Sequence, residues 1–274
     1  MPVRDGRVVG FAEWGDPDGR PVVAFHGGPG SRLLALGCEE AAELLGLRLV
    51  CLERPGFGLS DFAPDRTLIG WADDVADAIR VLELGRPAVV GVSAGSPYAL
   101  ACAARLPSVV SRVGVIGGLA PAQFRVEDPF TELVSRDLHA AEAAARQHFE
   151  AMAADIEASV AAMTAREGPD QAIYARPDVQ ERFRHTRREA FRGGIDGAVL
   201  DLLLVHQPWG FELHDTVVPI CWWHGSVDAV SPLQTVRAAT GGVRDLEITV
   251  YADEGHAINF IHGVEILKGL AQLT

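Results

Sequence analysis

Apolar residues run almost unbroken through 48–52, 88–92, 113–116, 218–222 and 246–250. Each run is short and rich in Val, Ile and Leu. A strand with one wet face alternates, whereas a strand covered on both faces reads as a continuous apolar run. These five are therefore expected in the middle layer of the molecule. Residues 7–14 do alternate, and 21–25 follow them across GDPDG, a turn composition. That pair is expected as an antiparallel hairpin at one edge of the sheet.

A different period appears between the runs. Trp71, Val75, Ile79 and Leu82 form one apolar stripe within 68–84, the spacing of a helix face. Residues 96–105, 232–240 and 258–270 are also expected as helices. Strands alternating with helices build βαβ units and a mostly parallel sheet. Residues 120–215 break the rhythm, because they contain no strand pattern. There Phe149, Met152, Ile156, Val160 and Met163 step by three and four. One amphipathic helix is expected through them, its stripe a packing surface. EGPDQ and ARPDV are read as helix breakers. The domain expectation is a core of residues 1–119 and 216–274, interrupted by a helical insertion at 120–215.

Composition narrows the function without choosing it. The chain has 274 residues, 48% of them apolar, enough for a large core. Its net charge of −13 disfavours nucleic acid and anionic membrane surfaces as partners. No segment has signal-peptide character and no run is long enough to span a bilayer, so a cytoplasmic location is expected. Cys38, Cys51, Cys102 and Cys221 match no metal or redox spacing and are expected as small hydrophobes. Arg182, Arg184, Arg187, Arg188 and Arg192 are expected on a solvated helix face.

In an open parallel sheet, ligands collect at the carboxyl ends of the strands, so the residues just past each run carry the chemistry. HGGPGS, residues 26–31, places two adjacent glycines where backbone amides can face a ligand. ERPGFGLSD, 53–61, is a turn-rich loop containing Phe57. Gly91-Val92-Ser93-Ala94-Gly95 fits G-x-S-x-G between a buried run and a helix. There a nucleophilic serine stands on a sharp turn that crowds the residues two before and two after it. HGSVDAVSP places Asp228 past the fourth continuous run, and ADEGHAI places His256 past the fifth. Asp253 and Glu254 lie too close to His256 in sequence to orient it. The order Ser93, Asp228, His256 follows nucleophile, acid, base.

These loops together resemble the α/β-hydrolase superfamily over nearly the whole chain. The likeness implies a mostly parallel eight-stranded sheet flanked by helices, with residues 120–215 as a helical cap. It implies Ser93, Asp228 and His256 as catalytic residues, with the amides of Gly28 and Ala94 as the oxyanion hole and Gly27 as the second choice to Gly28. His26 and His224 are expected in structural roles. Phe57 and Trp209 are expected at the substrate. HGGPGS is similar to the proline iminopeptidase branch, whereas GVSAGS departs from that branch's GGSWG elbow. In ERPGFGLSD, Glu53 stands where generic hydrolases carry Asp. Those peptidases hold the substrate amine with cap glutamates; here Glu132, Glu142, Glu150 and Glu157 are expected at solvated positions instead.

Hydrolysis of a small carboxylic ester is thus the first expectation, with no metal or organic cofactor, by a monomer or homodimer. An aminopeptidase acting on N-terminal proline is second. A lyase, an acyltransferase, a carbon–carbon hydrolase and a non-catalytic ligand receptor remain on the same fold.

Overall fold

A computed structural model describes residues 1–34, 36–125 and 127–272. Seven strands form one sheet: β1 Phe11–Gly15, β2 Arg20–Phe25, β3 Leu47–Leu52, β4 Ala88–Val92, β5 Arg112–Ile116, β6 Ile220–Gly225 and β7 Leu246–Tyr251. Their spatial order is β1-β3-β2-β4-β5-β6-β7. All neighbours are parallel except β1, which runs antiparallel to β3.

Two sequence expectations change here. β1 and β2 are not a hairpin. β1 pairs with β3, from Phe11 opposite Leu52 to Gly15 opposite Arg48. β2 lies between β3 and β4. Its apolar residues are buried on both sides, and an edge position would leave one flank open. The eighth strand is also missing among the described residues. The opening segment makes only a bridge between Pro2 and Val8.

The helices, in chain order, are α1 Ala41–Leu44, α2 Trp71–Val81, α3 Ser96–Arg105, α4 Pro129–Arg136, α5 Leu138–Ala154, α6 Ile156–Thr164, α7 Gln171–Tyr174, α8 Pro177–Ala190, α9 Asp196–Val205, α10 Leu233–Thr240 and α11 Asn259–Gln272. Strand residues alternate between two cores. Val23, Val89 and Val115 pack with Val75 of α2, Leu100 of α3 and Val236 of α10. Val22, Val90 and Ile116 pack with Ile266 and Leu270 of α11. Burial on both faces explains the unbroken apolar runs. Cys51, Cys102 and Cys221 are buried and unpaired.

Helices α4–α9 all lie between β5 and β6. The expected single helix through Phe149–Met163 is in fact two. Asp155 stands between α5 and α6 at φ −139° and accepts the Ala158 amide at 2.8 Å. A short acid that caps a new helix outcompetes continuation of the old one. The insertion has its own small core, in which Val134, Phe149 and Leu203 pack with Phe57 from the loop after β3.

A buried polar cluster fastens this insertion to the sheet. Asp201 of α9 accepts both Nε of Arg54 at 2.9 Å and Nη2 at 2.8 Å. It also accepts Arg66 at 2.9 Å and the Tyr98 hydroxyl at 2.7 Å. Burial alone would raise this carboxyl, yet the two guanidiniums and the phenol hold it far below the usual carboxylate range.

Candidate active site

The centre of the sheet ends at the glycine-flanked serine. Val92 is the last residue of β4, and Ser93–Gly95 form a short 3-10 turn that leads into α3. Ser93 sits at φ +52°, a left-handed conformation that is strained for any residue with a side chain. The flanking glycines are a steric necessity. A Cβ on Gly91 would meet the Gly95 carbonyl, and one on Gly95 would meet the carbonyls of Phe25 and His26. The crowding expected from the motif is therefore present on both sides.

Parallel strands deliver the other groups to the same edge. His256, five residues past β7, places Nε2 2.9 Å from Ser93 Oγ. Its Nδ1 lies 2.8 Å from Asp228 Oδ2. Asp228 is buried, and its Oδ1 accepts the amides of Val230 at 2.8 Å and Ser231 at 2.9 Å. Burial would raise the Asp228 carboxyl, but His256 and the Ser231 amide bring it below its ordinary value. It stays ionised and oriented toward the imidazole.

Two other histidines support the frame. His224 Nε2 donates to the Ser231 carbonyl at 2.7 Å, while its Nδ1 accepts from Trp222 at 3.1 Å. His26 is completely buried, with Nδ1 2.8 Å from the Gly27 carbonyl and Nε2 accepting the Arg54 amide at 3.3 Å. Burial lowers both imidazoles, and Arg54 lowers His26 further. Both fit the structural roles expected of them.

Gly28 and Ala94 face each other across the turn. A Cβ on Gly28 would lie 3.1 Å from that of Ala94. Ala94 is the second residue of the turn that Ser93 opens, so its amide has no carbonyl partner within that turn. Arg54 holds the glycine loop from behind, donating to the carbonyls of His26 and Gly27. The sequence reading assigned nothing to Arg54. Its meaning depends on Asp201, 147 positions away. Glu53 also gains a function here. It is buried, accepts the Leu59 amide at 2.8 Å and pairs with Arg32 at 2.8 Å.

A cavity of about 660 Å³ opens over this edge. Gly28, Ser93 and His256 form part of its lining, and Met152, Met163 and Tyr174 of the insertion form another part. Phe57 and Trp209 do not line it. Phe57 is buried against the edge of the His26 ring, centroids 4.9 Å apart. Trp209 is buried in the sheet core and donates to the Val205 carbonyl at 3.3 Å. Both aromatics were expected at the substrate. They lie instead where the insertion and its loops pack, which is the usual fate of large apolar rings. Glu132, Glu142, Glu150 and Glu157 are likewise outside the lining.

Two residues of the insertion reach the site without having been singled out for it. Asp170, in the segment expected only to break a helix, accepts the amides of His256 at 2.8 Å and Ala257 at 2.9 Å. Arg187 is buried and lines the cavity, contrary to the solvated position expected for its cluster. Its four companions reach outward and pair with Glu40, Glu157 and the half-buried Glu189. A carboxylate directly after a Gly-Pro break gave no periodic signal for Asp170. For Arg187, its place on the stripe facing α6 was the available clue.

Comparison with known proteins agrees with this architecture. The family model described as alpha/beta hydrolase fold matches residues 20–263. A probable proline iminopeptidase of Streptomyces coelicolor is 35% identical over 125 residues, 43% of this chain and 38% of that protein. A serine hydrolase-like protein of Danio rerio is 31% identical over 141 residues, 48% of this chain and 41% of that one. The chain thus spans about two fifths of the length of the curated relatives it matches. Among solved structures, a thermophilic esterase from Thermogutta terrifontis superposes with a TM-score of 0.74 at 21% identity, covering 99% of this chain and 94% of that one. A hydrolase from Pseudomonas aeruginosa PA01 gives 0.76 at 18% identity, covering 99% and 97%. At such identities the likeness is one of fold.

Proposed function

The chain belongs to the alpha/beta hydrolase fold family, and from that premise we propose that it is a serine hydrolase of small carboxylic esters, acting in the cytoplasm as a monomer or homodimer. The observation that carries this reading is the continuous chain from Ser93 Oγ to His256 Nε2 at 2.9 Å and from His256 Nδ1 to Asp228 at 2.8 Å. Nucleophile, base and orienting acid are within hydrogen-bond reach without rearrangement.

In this mechanism His256 takes the Ser93 proton as Oγ attacks the ester carbonyl. Asp228 keeps the Nδ1–H tautomer and stabilises the imidazolium. The oxyanion develops against the amides of Ala94 and Gly28, each worth about 3–4 kcal/mol of barrier in comparable sites. Collapse expels the alcohol, which takes its proton from His256. Water then attacks the acyl-enzyme, giving up its proton to His256, and the carboxylic acid leaves with Ser93 restored. The helical insertion acts as the cap that shapes the acyl or alcohol pocket.

A second reading, removal of an N-terminal proline, is favoured by the Streptomyces relative. It requires a carboxylate for the substrate ammonium. The acids beside the cavity are otherwise engaged or solvated: Asp155 caps α6, Asp170 holds two amides, and Glu167 is exposed. Ester hydrolysis needs no such group.

The test has two parts. A fluorophosphonate should label wild-type protein at Ser93 and leave Ser93→Ala unlabelled. Short p-nitrophenyl esters should turn over, with kcat lost by about 10⁴-fold or more in Ser93→Ala. No labelling of folded protein contradicts the serine mechanism. Turnover of prolyl arylamides alone selects the second reading.

A further inference from the structure

Arg187 stands apart from the other arginines of its cluster. It is 7% exposed, whereas Arg182, Arg184, Arg188 and Arg192 reach outward to Glu40, Glu157 and Glu189. Its guanidinium lies over the Phe183 ring, 5.5 Å from the centroid, within cation–π range. Nη1 donates to Ser159 Oγ at 2.9 Å, and Nη2 makes a long 3.7 Å contact with Met163 sulfur. Nε has no acceptor. A guanidinium has five N–H donors, so most of this one's capacity is unspent. Among the described residues no carboxylate pairs with it. Among the charges on the same cavity, the one that acts on it most is another cation, Arg166.

A buried cation with no counter-ion is costly and is normally paired or neutralised. Burial and Arg166 push Arg187 down to about 10, so it keeps its charge at neutral pH. The uncompensated cation lines the same cavity as Ser93 and His256. Tyr174, on the same lining, has a hydroxyl that makes no hydrogen bond among the described residues. An arriving anion would find a planar fork and a phenol.

We propose that Arg187 is the specificity-determining residue for a substrate that carries a carboxylate remote from its scissile ester, bound through the guanidinium and the Tyr174 hydroxyl in the cap wall. This rests on the serine-esterase reading and names its substrate class. A carboxylate fits better than a dianionic phosphate, because Asp155, Glu167 and Asp170 line the same cavity and oppose a second negative charge. The planar, bidentate match of guanidinium to carboxylate supplies the selectivity.

The experiment compares mono-p-nitrophenyl adipate with p-nitrophenyl hexanoate, esters of equal acyl chain length that differ at the far end. After subtraction of uncatalysed hydrolysis, the wild type should favour the adipate ester in kcat/KM. Arg187→Met should shrink that adipate-to-hexanoate ratio at least about tenfold, chiefly through KM. Arg187→Lys, which keeps the charge and loses the fork, should fall between. Binding is measured separately from turnover. Titration calorimetry on Ser93→Ala should detect monomethyl adipate, and the added Arg187→Met change should weaken it by a similar factor. A merely structural arginine predicts a lower melting temperature in Arg187→Met with an unchanged ratio. An unpaired cation predicts an unchanged or higher one. Equal ratios in wild type and folded Arg187→Met, or equal affinity for monomethyl adipate with and without Arg187, overturn the proposal. If neither ester turns over and Ser93 takes no probe, the serine-esterase reading falls. The calorimetric comparison still decides the carboxylate site.

Discussion

The strand-tip loops and the helical insertion face one cavity, but different forces hold them there. Ser93, Asp228 and His256 are placed by backbone. Each follows its own parallel strand, and the strands are locked in register by hydrogen bonds from Val22 through Tyr251. The insertion is placed by side chains. Its firmest tie to the core is the Arg54–Asp201–Arg66–Tyr98 cluster, and its tie to the His256 loop is Asp170 on the His256 and Ala257 amides. Backbone placement fixes what bond chemistry is available. In the proposed function side-chain placement decides which molecule is offered to it, and such placement can change by single substitutions without disturbing the sheet. That division suits a fold that hosts many activities.

If the insertion really depends on one buried charge cluster, Asp201→Ala is the severest test. It leaves two guanidiniums buried without their carboxylate, and breaking such a group costs about 3–5 kcal/mol. Urea unfolding should show this as a lower midpoint. A loss under 1 kcal/mol would mean that the cluster is not what joins the two regions.

The same contrast explains what could be read from sequence. The glycine pair around Ser93 reports a steric requirement within five residues, so the motif was enough to foretell the crowded turn. The positions of Asp228 and His256 followed from strand ends, which apolar runs mark well. The hairpin expectation for β1 and β2 failed because strand order is a non-local property. Alternation marks a strand but does not choose its neighbour. Asp170 and Arg187 failed for the same reason on a smaller scale. An Asp after Gly-Pro and an Arg among four others look like a turn and a wet helix face. Only the partners, 86 residues away for Asp170, separate them from that background. Phe57 and Trp209 erred in the opposite direction, because proximity in sequence to a site loop does not place a ring in the cavity.

Asp170 links the two regions most directly. In the proposed mechanism it is a positioning residue: it accepts the amides of His256 and Ala257 and touches none of the reacting atoms. Asp170→Ala should lower kcat about tenfold or more by loosening His256, with KM nearly unchanged. Asp170→Asn, which keeps one acceptor, should recover part of the loss. An unaltered kcat in folded Asp170→Ala would show that the strand-tip loops hold the base unaided.

Acid should loosen the backbone-placed region too, with a smaller effect. His26 and His224 are held neutral by burial, while in the unfolded chain each takes a proton below about pH 6.5. The unfolded chain then binds more protons, so stability falls as the pH drops through that value. Glu53 and Asp74, whose carboxyls burial raises, act in the opposite sense and temper the fall. Between pH 7.5 and 5.5 the net loss in urea unfolding free energy should be about 1–2 kcal/mol. A flat profile would mean that the two imidazoles become charged in place.

The finest test concerns Trp209, the aromatic that sequence position assigned to the substrate and the packing assigns to the core. Its ring is buried beside Phe211, with centroids 5.9 Å apart, and its Nε1 donates to the Val205 carbonyl at 3.3 Å. Trp209→Phe removes that donor and some volume, which should cost about 1 kcal/mol of stability. It should leave the ranking of ester substrates where it was. A change in ranking without a change in stability would return Trp209 to the pocket and shift the boundary between the two regions. If only stability responds, Trp209 packs the frame, on the far side of the boundary from Arg187, which lines the cavity.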